Sequence, residues 1–242
     1  MVYEYLLEIR KRHPGYLVLL DPERGGNVEV ASIASQGGAD ALLIGGSTLR
    51  TQNIEKFVIR VREVFKKKIP LILFPGSRSQ LTGSADALFF LSLISGRNPE
   101  YLIGEHVRSA FEIKRMGLES IPVGYILVDS GNPTSVVEES NTRPLSRENV
   151  KGVIAHALAG QYLGMKMVYL EGGSGASKSV PDKMIREVKK EIQIPLIVGG
   201  GIRTIEDARR KIEAGADFIV TGNVIEKDPS LVKEFAKAIH GS

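Results

Sequence analysis

Eight short, β-branched apolar runs recur along this chain, and they are continuous rather than alternating. Strands buried on both faces read this way, as parallel strands of an α/β fold do. In order they are Tyr16–Leu20, Ala41–Ile44, Pro70–Phe74, Ala87–Leu91, Val123–Val128, Lys166–Leu170, Pro195–Val198 and Phe218–Val220. Helical periodicity fills most of the intervals, over Asn53–Lys67, Pro99–Met116, Glu148–Leu163, Pro181–Glu191, Thr204–Ala214 and Pro229–Ile239. Ser146, Thr204 and Asp228–Pro229 stand where helices start, and Gly37, Gly117, Gly164 and Gly215 where they stop. Eight strands alternating with helices in 242 residues is the arithmetic of a TIM (β/α)8-type barrel forming a single domain over 1–242. Periodicity does not show closure, so an open doubly wound sheet is the alternative.

Two connections break the pattern. PGSRSQLTGSAD, between Phe74 and Ala87, is too short and polar for a crossover helix, so the barrel is expected to lack the helix after strand 3. Asp129–Arg147 is rich in Ser, Asn, Thr and Pro and longer than a usual strand-to-helix loop. The chain has no cysteine, which excludes disulfides, thiolate nucleophiles and cysteine metal sites. No apolar run approaches the roughly 20 residues of a membrane span, and Met1–Arg10 has no signal-peptide pattern, so a cytoplasmic location is expected. The net charge of +4 is too mild to indicate nucleic acid but suits an anionic small substrate.

In such barrels chemistry sits where the strands end. The residues there are Asp21, Gly45-Gly46-Ser47-Thr48, Pro75-Gly76-Ser77, Ser92, Asp129-Ser130, Glu171 through Gly175, Gly199-Gly200-Gly201 and Thr221-Gly222-Asn223. Glycines at the sixth, seventh and eighth ends can bring backbone N–H groups to a phosphate. They can also be turn formers only. Gly172–Ser179 resembles a P-loop, but Ser177 stands where the second glycine belongs, and the stretch also lacks the third glycine of a dinucleotide fingerprint. The four histidines, His13, His106, His156 and His240, do not cluster, His106 and His156 fall within helical segments, and no histidine-based metal site or Ser-His-Asp arrangement is expected. A hard cation such as Mg²⁺ would find its best candidate ligand in Asp21, which could equally be a loop cap before Pro22.

Taken together, LDP at 20–22, IGGS at 44–47, FPG at 74–76, YLEGGSGA at 169–176, VGGGIR at 198–203 and TGN at 221–223 resemble the geranylgeranylglyceryl phosphate synthase family, from about Tyr16 to Ile239. The resemblance implies a Mg²⁺-dependent prenyltransferase of archaeal-type membrane phospholipid biosynthesis. It would join C1 of geranylgeranyl diphosphate to the 3-hydroxyl of sn-glycerol 1-phosphate and release diphosphate. It also implies that Asp21 and Ser47 hold the metal. Tyr169, Leu170, Glu171, Gly172, Gly173, Ser174, Gly175, Gly200, Gly201, Gly222 and Asn223 would bind glycerol 1-phosphate, with Glu171 as the catalytic base. The prenyl tail would leave through the gap after strand 3, walled by strands 3 and 4 and the Tyr101 helix, with Ser84–Leu88 at the opening. Relatives form dimers or hexamers, so a homo-oligomer is implied, with transient membrane contact left open by the sequence. A phosphosugar isomerase or lyase using Asp21 and Asp129, an FMN-binding oxidoreductase and a non-catalytic phosphate binder are the rival readings.

Overall fold

The computed structural model describes residues 1–23, 28–46, 54–65 and 69–241. Eight parallel strands, β1 (Gly15–Leu20), β2 (Ala41–Ile44), β3 (Leu71–Leu73), β4 (Ala87–Ser92), β5 (Glu119–Leu127), β6 (Met167–Glu171), β7 (Leu196–Gly199) and β8 (Phe218–Thr221), pair in sequence order. β8 returns to β1 with Gly15 opposite Phe218 and Val18 opposite Thr221, which closes the barrel and excludes the open sheet. Gly15 permits that closure, because a Cβ there would lie 2.3 Å from the Phe218 ring.

The outer ring holds α2 (Val28–Gly37), α3 (Ile54–Val64), α4 (Glu105–Met116), α6 (Val150–Tyr162), α7 (Asp182–Glu191), α8 (Ile205–Glu213) and α10 (Val232–His240). A π-helical turn at Glu100–Gly104 leads into α4. Between β3 and β4 stands a single 3₁₀ turn, Arg78–Gln80, so the expected gap in the ring is present. Four described helices had no counterpart in the periodicity: α2, of which only the terminal Gly37 was read, and α1 (Val2–Arg12), α5 (Ser135–Ser140) and α9 (Asn223–Lys227). α1 plugs the bottom of the barrel with buried Leu6 and Ile9. Its first N–H groups, from Val2 and Tyr3, are capped by the Glu119 carboxylate at 2.5 and 2.9 Å.

The period of two in each strand separates two apolar layers. Leu17, Leu43, Ile72, Phe89, Tyr125, Tyr169 and Phe218 fill the barrel, whereas Val18, Leu42, Leu71, Val168, Leu170 and Val198 pack outward on the helices. Two boundaries differ from expectation. Ser146 does not cap α6; Asn149 does, accepting from Gly152 N–H at 3.0 Å, because Ser146 Oγ turns to Glu148. After α2 the left-handed residue is Gly38 (φ 106°), with Gly37 still helical.

Candidate active site

Strand alternation decides which rim residues face the barrel mouth. Met167, Tyr169 and Glu171 share the inner face of β6, whereas Leu170 is buried in the outer layer. The Leu170 side chain therefore packs on the outer helices, and only its backbone runs between Tyr169 and Glu171 at the rim. Asp21 continues the inner series Leu17, Leu19 of β1.

Glu171 is 5% exposed, and its Oε1 accepts the Gly173 N–H at 2.5 Å. Burial raises its pKa above the ordinary glutamate value, opposed by that N–H and by the hydroxyls of Tyr169 and Tyr125. The two tyrosine rings lie 5.2 Å apart, with Phe74 at 6.1 and 5.6 Å from them, so an aromatic floor sits under the carboxylate. Tyr169 Oη meets no well-aligned partner and lies against Gly199, where a Cβ would approach it to 2.1 Å.

The glycines divide into two groups. Gly172 N–H donates to Gly199 O at 3.1 Å, tying the loop to β7, and Gly173 N–H holds the Glu171 carboxylate, so both N–H groups of these buried glycines are engaged. Gly200 (φ 76°) must be glycine on two counts: its backbone is left-handed, and a Cβ would fall 2.0 Å from Glu171 Oε1. Half-buried Gly201 and exposed Asn223 at the start of α9 have N–H groups with no protein acceptor among the described residues. Ser174 is half-buried and Gly175 exposed on the β6 loop, and Gly222 O anchors the first turn of α9 through Ile225 and Glu226 N–H. Phosphate-binding capacity thus concentrates on the β7 and β8 loops.

Asp21, 8% exposed, faces the β2 end. Its Oδ1 accepts from Glu23 N–H at 3.0 Å, and a Cβ on Gly46 would lie 2.2 Å from Oδ2. Glu226 of α9, which the sequence did not single out, accepts the Asp21 N–H at 2.9 Å. Its only signal was a place one helical turn beyond TGN. Ser47 lies outside the described residues. Asp129 turns back on its own loop, accepting from Gly131 N–H at 2.9 Å.

A cleft of about 460 Å³ opens through the gap after β3. Phe74, Leu81, Phe89, Phe90, Leu93 and Tyr101 give it apolar walls, and its inner end reaches Tyr125 beside Glu171. Tyr101 is fixed across the cleft by donating to Glu139 O of α5 at 2.8 Å. His106 packs edge-on against Phe90 at 4.3 Å, and burial lowers its pKa, favouring the neutral ring. Buried Gln80, also not singled out, ties the β3 loop to Gly46 O at 2.9 Å. Of Ser84–Leu88 only Leu88 lines the cleft. Ser84–Asp86 precede β4 and so lie on the opposite face, where Asp86 accepts Leu71 N–H at 2.8 Å.

The chain is similar along nearly its whole length to curated enzymes. It is 45% identical over 230 residues to the geranylgeranylglyceryl phosphate synthase of Chitinophaga pinensis, covering 94% of this chain and 90% of that one. It is 45% identical over 238 residues to the enzyme of that name from Thermococcus kodakarensis, covering 96% and 92%. The crystal structure of (S)-3-O-geranylgeranylglyceryl phosphate synthase from Thermoplasma acidophilum in complex with sn-glycerol-1-phosphate matches with a TM-score of 0.93 at 32% identity, covering 100% of this chain and 99% of that one. Residues 7–239 match the PcrB family profile, and with an inner-facing Glu171 between glycine loops and an apolar cleft the chain belongs to the PcrB family.

Proposed function

We propose that the protein joins geranylgeranyl diphosphate to the 3-hydroxyl of sn-glycerol 1-phosphate, releasing diphosphate and making the first ether bond of archaeal-type phospholipids. What carries the reading is one juxtaposition: a buried carboxylate, Glu171, with glycine loops on one side and the inner end of an apolar cleft on the other. The N–H groups of Gly201 and Asn223 would receive the phosphate, with Ser174, Gly175 and Gly222 beside them. Glu171 would then accept the proton of the 3-hydroxyl as its oxygen bonds to C1 of the donor and the C1–O bond to diphosphate breaks. Its raised pKa suits that transfer, because a base works best with a pKa near the operating pH. The prenyl chain would lie along the apolar side chains of Phe74, Phe89, Phe90 and Tyr101.

The donors at the β1 end are oxygens, the chemistry Mg²⁺ prefers, and the Asp21 carboxylate faces the side-chain-free space of Gly46. Asp21, with Ser47, would hold the ion, which when bound neutralises the diphosphate charge. No described helix is long and apolar enough to cross a membrane. Ile103, Val107 and Phe111 form an exposed apolar stripe leading along α4, a surface suited to contact between copies in a homo-oligomer.

The test is direct. The protein is incubated with glycerol 1-phosphate and prenyl diphosphates of several lengths, with Mg²⁺ or EDTA, and the products are weighed. Prenyl ether formation with Mg²⁺, abolished by EDTA and weakened in Asp21→Asn, is expected. Turnover insensitive to EDTA would remove the metal role, and absence of ether product with every donor would overturn the function.

A further inference from the structure

At the face of the barrel opposite the mouth, three side chains distant in sequence converge: His13 at the end of α1, Asp40 just before β2 and His240 at the end of α10. Their donor atoms all lie within 4.8 Å of one another. His240 Nε2 is 3.0 Å from Asp40 Oδ2, and the two imidazole rings are 4.2 Å apart. The hydrogen bond between Asp40 and His240 explains two members of this group but not the third. The His13 Nδ1 lies 3.0 Å from Pro14 O, a contact that orients the ring within the cluster. Asp40 is itself oriented by accepting Tyr16 N–H at 2.8 Å. A histidine that donates its second nitrogen to a backbone carbonyl, and a carboxylate held by a further hydrogen bond, are the supports that metal ligands receive.

We propose that His13, Asp40 and His240 form a binding site for a zinc-class divalent cation, with the fourth position open to water. Two imidazoles and one carboxylate are a donor set for Zn²⁺ or its substitute Co²⁺, whereas Mg²⁺ prefers oxygen ligands. The site is separate from the Asp21 end of the barrel and takes no part in prenyl transfer. Its effect is mechanical: the ion links the first helix, the entry to the second strand and the last helix, joining both ends of the chain at the base of the barrel.

The experiment uses the full chain without an affinity tag, stripped with chelator. Titration with CoCl₂ should give saturable 1:1 binding with the intense visible bands of a four-coordinate site, displaced by ZnCl₂ and not by MgCl₂. Zinc at a hundredfold excess over its Kd should raise Tm by about 5–10 °C. His13→Gln and His240→Gln, tested separately, should each abolish the cobalt bands and the zinc-dependent rise while leaving prenyl-transfer turnover unchanged. Unchanged turnover also shows that the variants fold. Absence of saturable binding in the wild type, binding retained in both variants, or displacement by Mg²⁺ at equal concentration would each overturn the site.

Discussion

Carboxylates are placed at both ends of this barrel, and they are treated in opposite ways. At the base, Asp217, Asp86 and Glu119 are closed off by partners. Asp217 accepts Leu196 N–H at 2.7 Å and pairs with Arg10 and Lys189 at 2.8 and 2.5 Å. Asp86 accepts Leu71 N–H and pairs with Arg62, and Glu119 caps α1. These groups pin the strand starts and have little left to offer a ligand. At the mouth, Asp21 and Glu171 receive N–H groups but no cation is paired with Glu171 among the described residues, and each faces glycines whose missing side chains leave space. The difference is between charge used to hold a fold and, at Glu171, charge kept available for chemistry.

The largest expected effect tests that contrast at the mouth. Glu171→Gln keeps the shape and an acceptor for Gly173 N–H but removes the base, so kcat should fall about 10²–10⁴-fold. A raised pKa in the folded state means that the protonated form is favoured by folding. That stabilisation is complete below the unfolded pKa and is lost as pH rises through the raised one. Gln never ionises, so Tm at neutral pH should hold or rise while turnover collapses. A kcat near wild type would remove Glu171 as the base, and a fall in Tm with modest loss of rate would make it a loop holder. In the wild type the rate should decline as pH falls through the Glu171 pKa, and that limb should vanish in the variant.

At the base the converse is expected. Asp217→Ala strands two cations and the Leu196 N–H, and removing one partner of such a cluster costs about 2–4 kcal/mol. Denaturant unfolding should show that loss with kcat unchanged. A Tm within 1 °C of wild type, by the scale of about 2–4 °C per kcal/mol for a chain this size, would break the comparison.

The smallest effect concerns the cleft. Phe90→Ala enlarges the cleft that Phe90 lines without touching the glycine loops. Relative turnover of longer prenyl donors should rise by about tenfold or less, with KM for glycerol 1-phosphate within about twofold. An unchanged chain-length profile would move the tail away from this cleft.

The eight strands were legible because parallel strands buried on both faces must be apolar throughout, and no other use of such short runs fits between amphipathic helices. The gap after β3 was legible by length, since a twelve-residue, mostly polar segment with proline and glycines does not hold a crossover helix. α1 was not legible as a plug, because Leu6 and Ile9 gain their meaning only from the open barrel end above them. α5 and α9 span six and five residues, too short for a periodicity to develop.

For the site, the residue types at the strand ends determined the chemistry: two inner-facing carboxylates, and glycines where side chains would collide with them. Tertiary structure alone decided the division of labour. Leu170 is one residue from both Tyr169 and Glu171, yet alternation turns it away from the mouth. Gly172 and Gly173 read like Gly200 and Gly201, yet their N–H groups are engaged by Gly199 O and Glu171. The cleft walls, the Glu226 and Gln80 tethers and the meeting of His13, Asp40 and His240 join residues far apart in the chain. A sequence states which side chain follows which, and only the closed sheet brings its first strand beside its last and fixes which groups share a cavity.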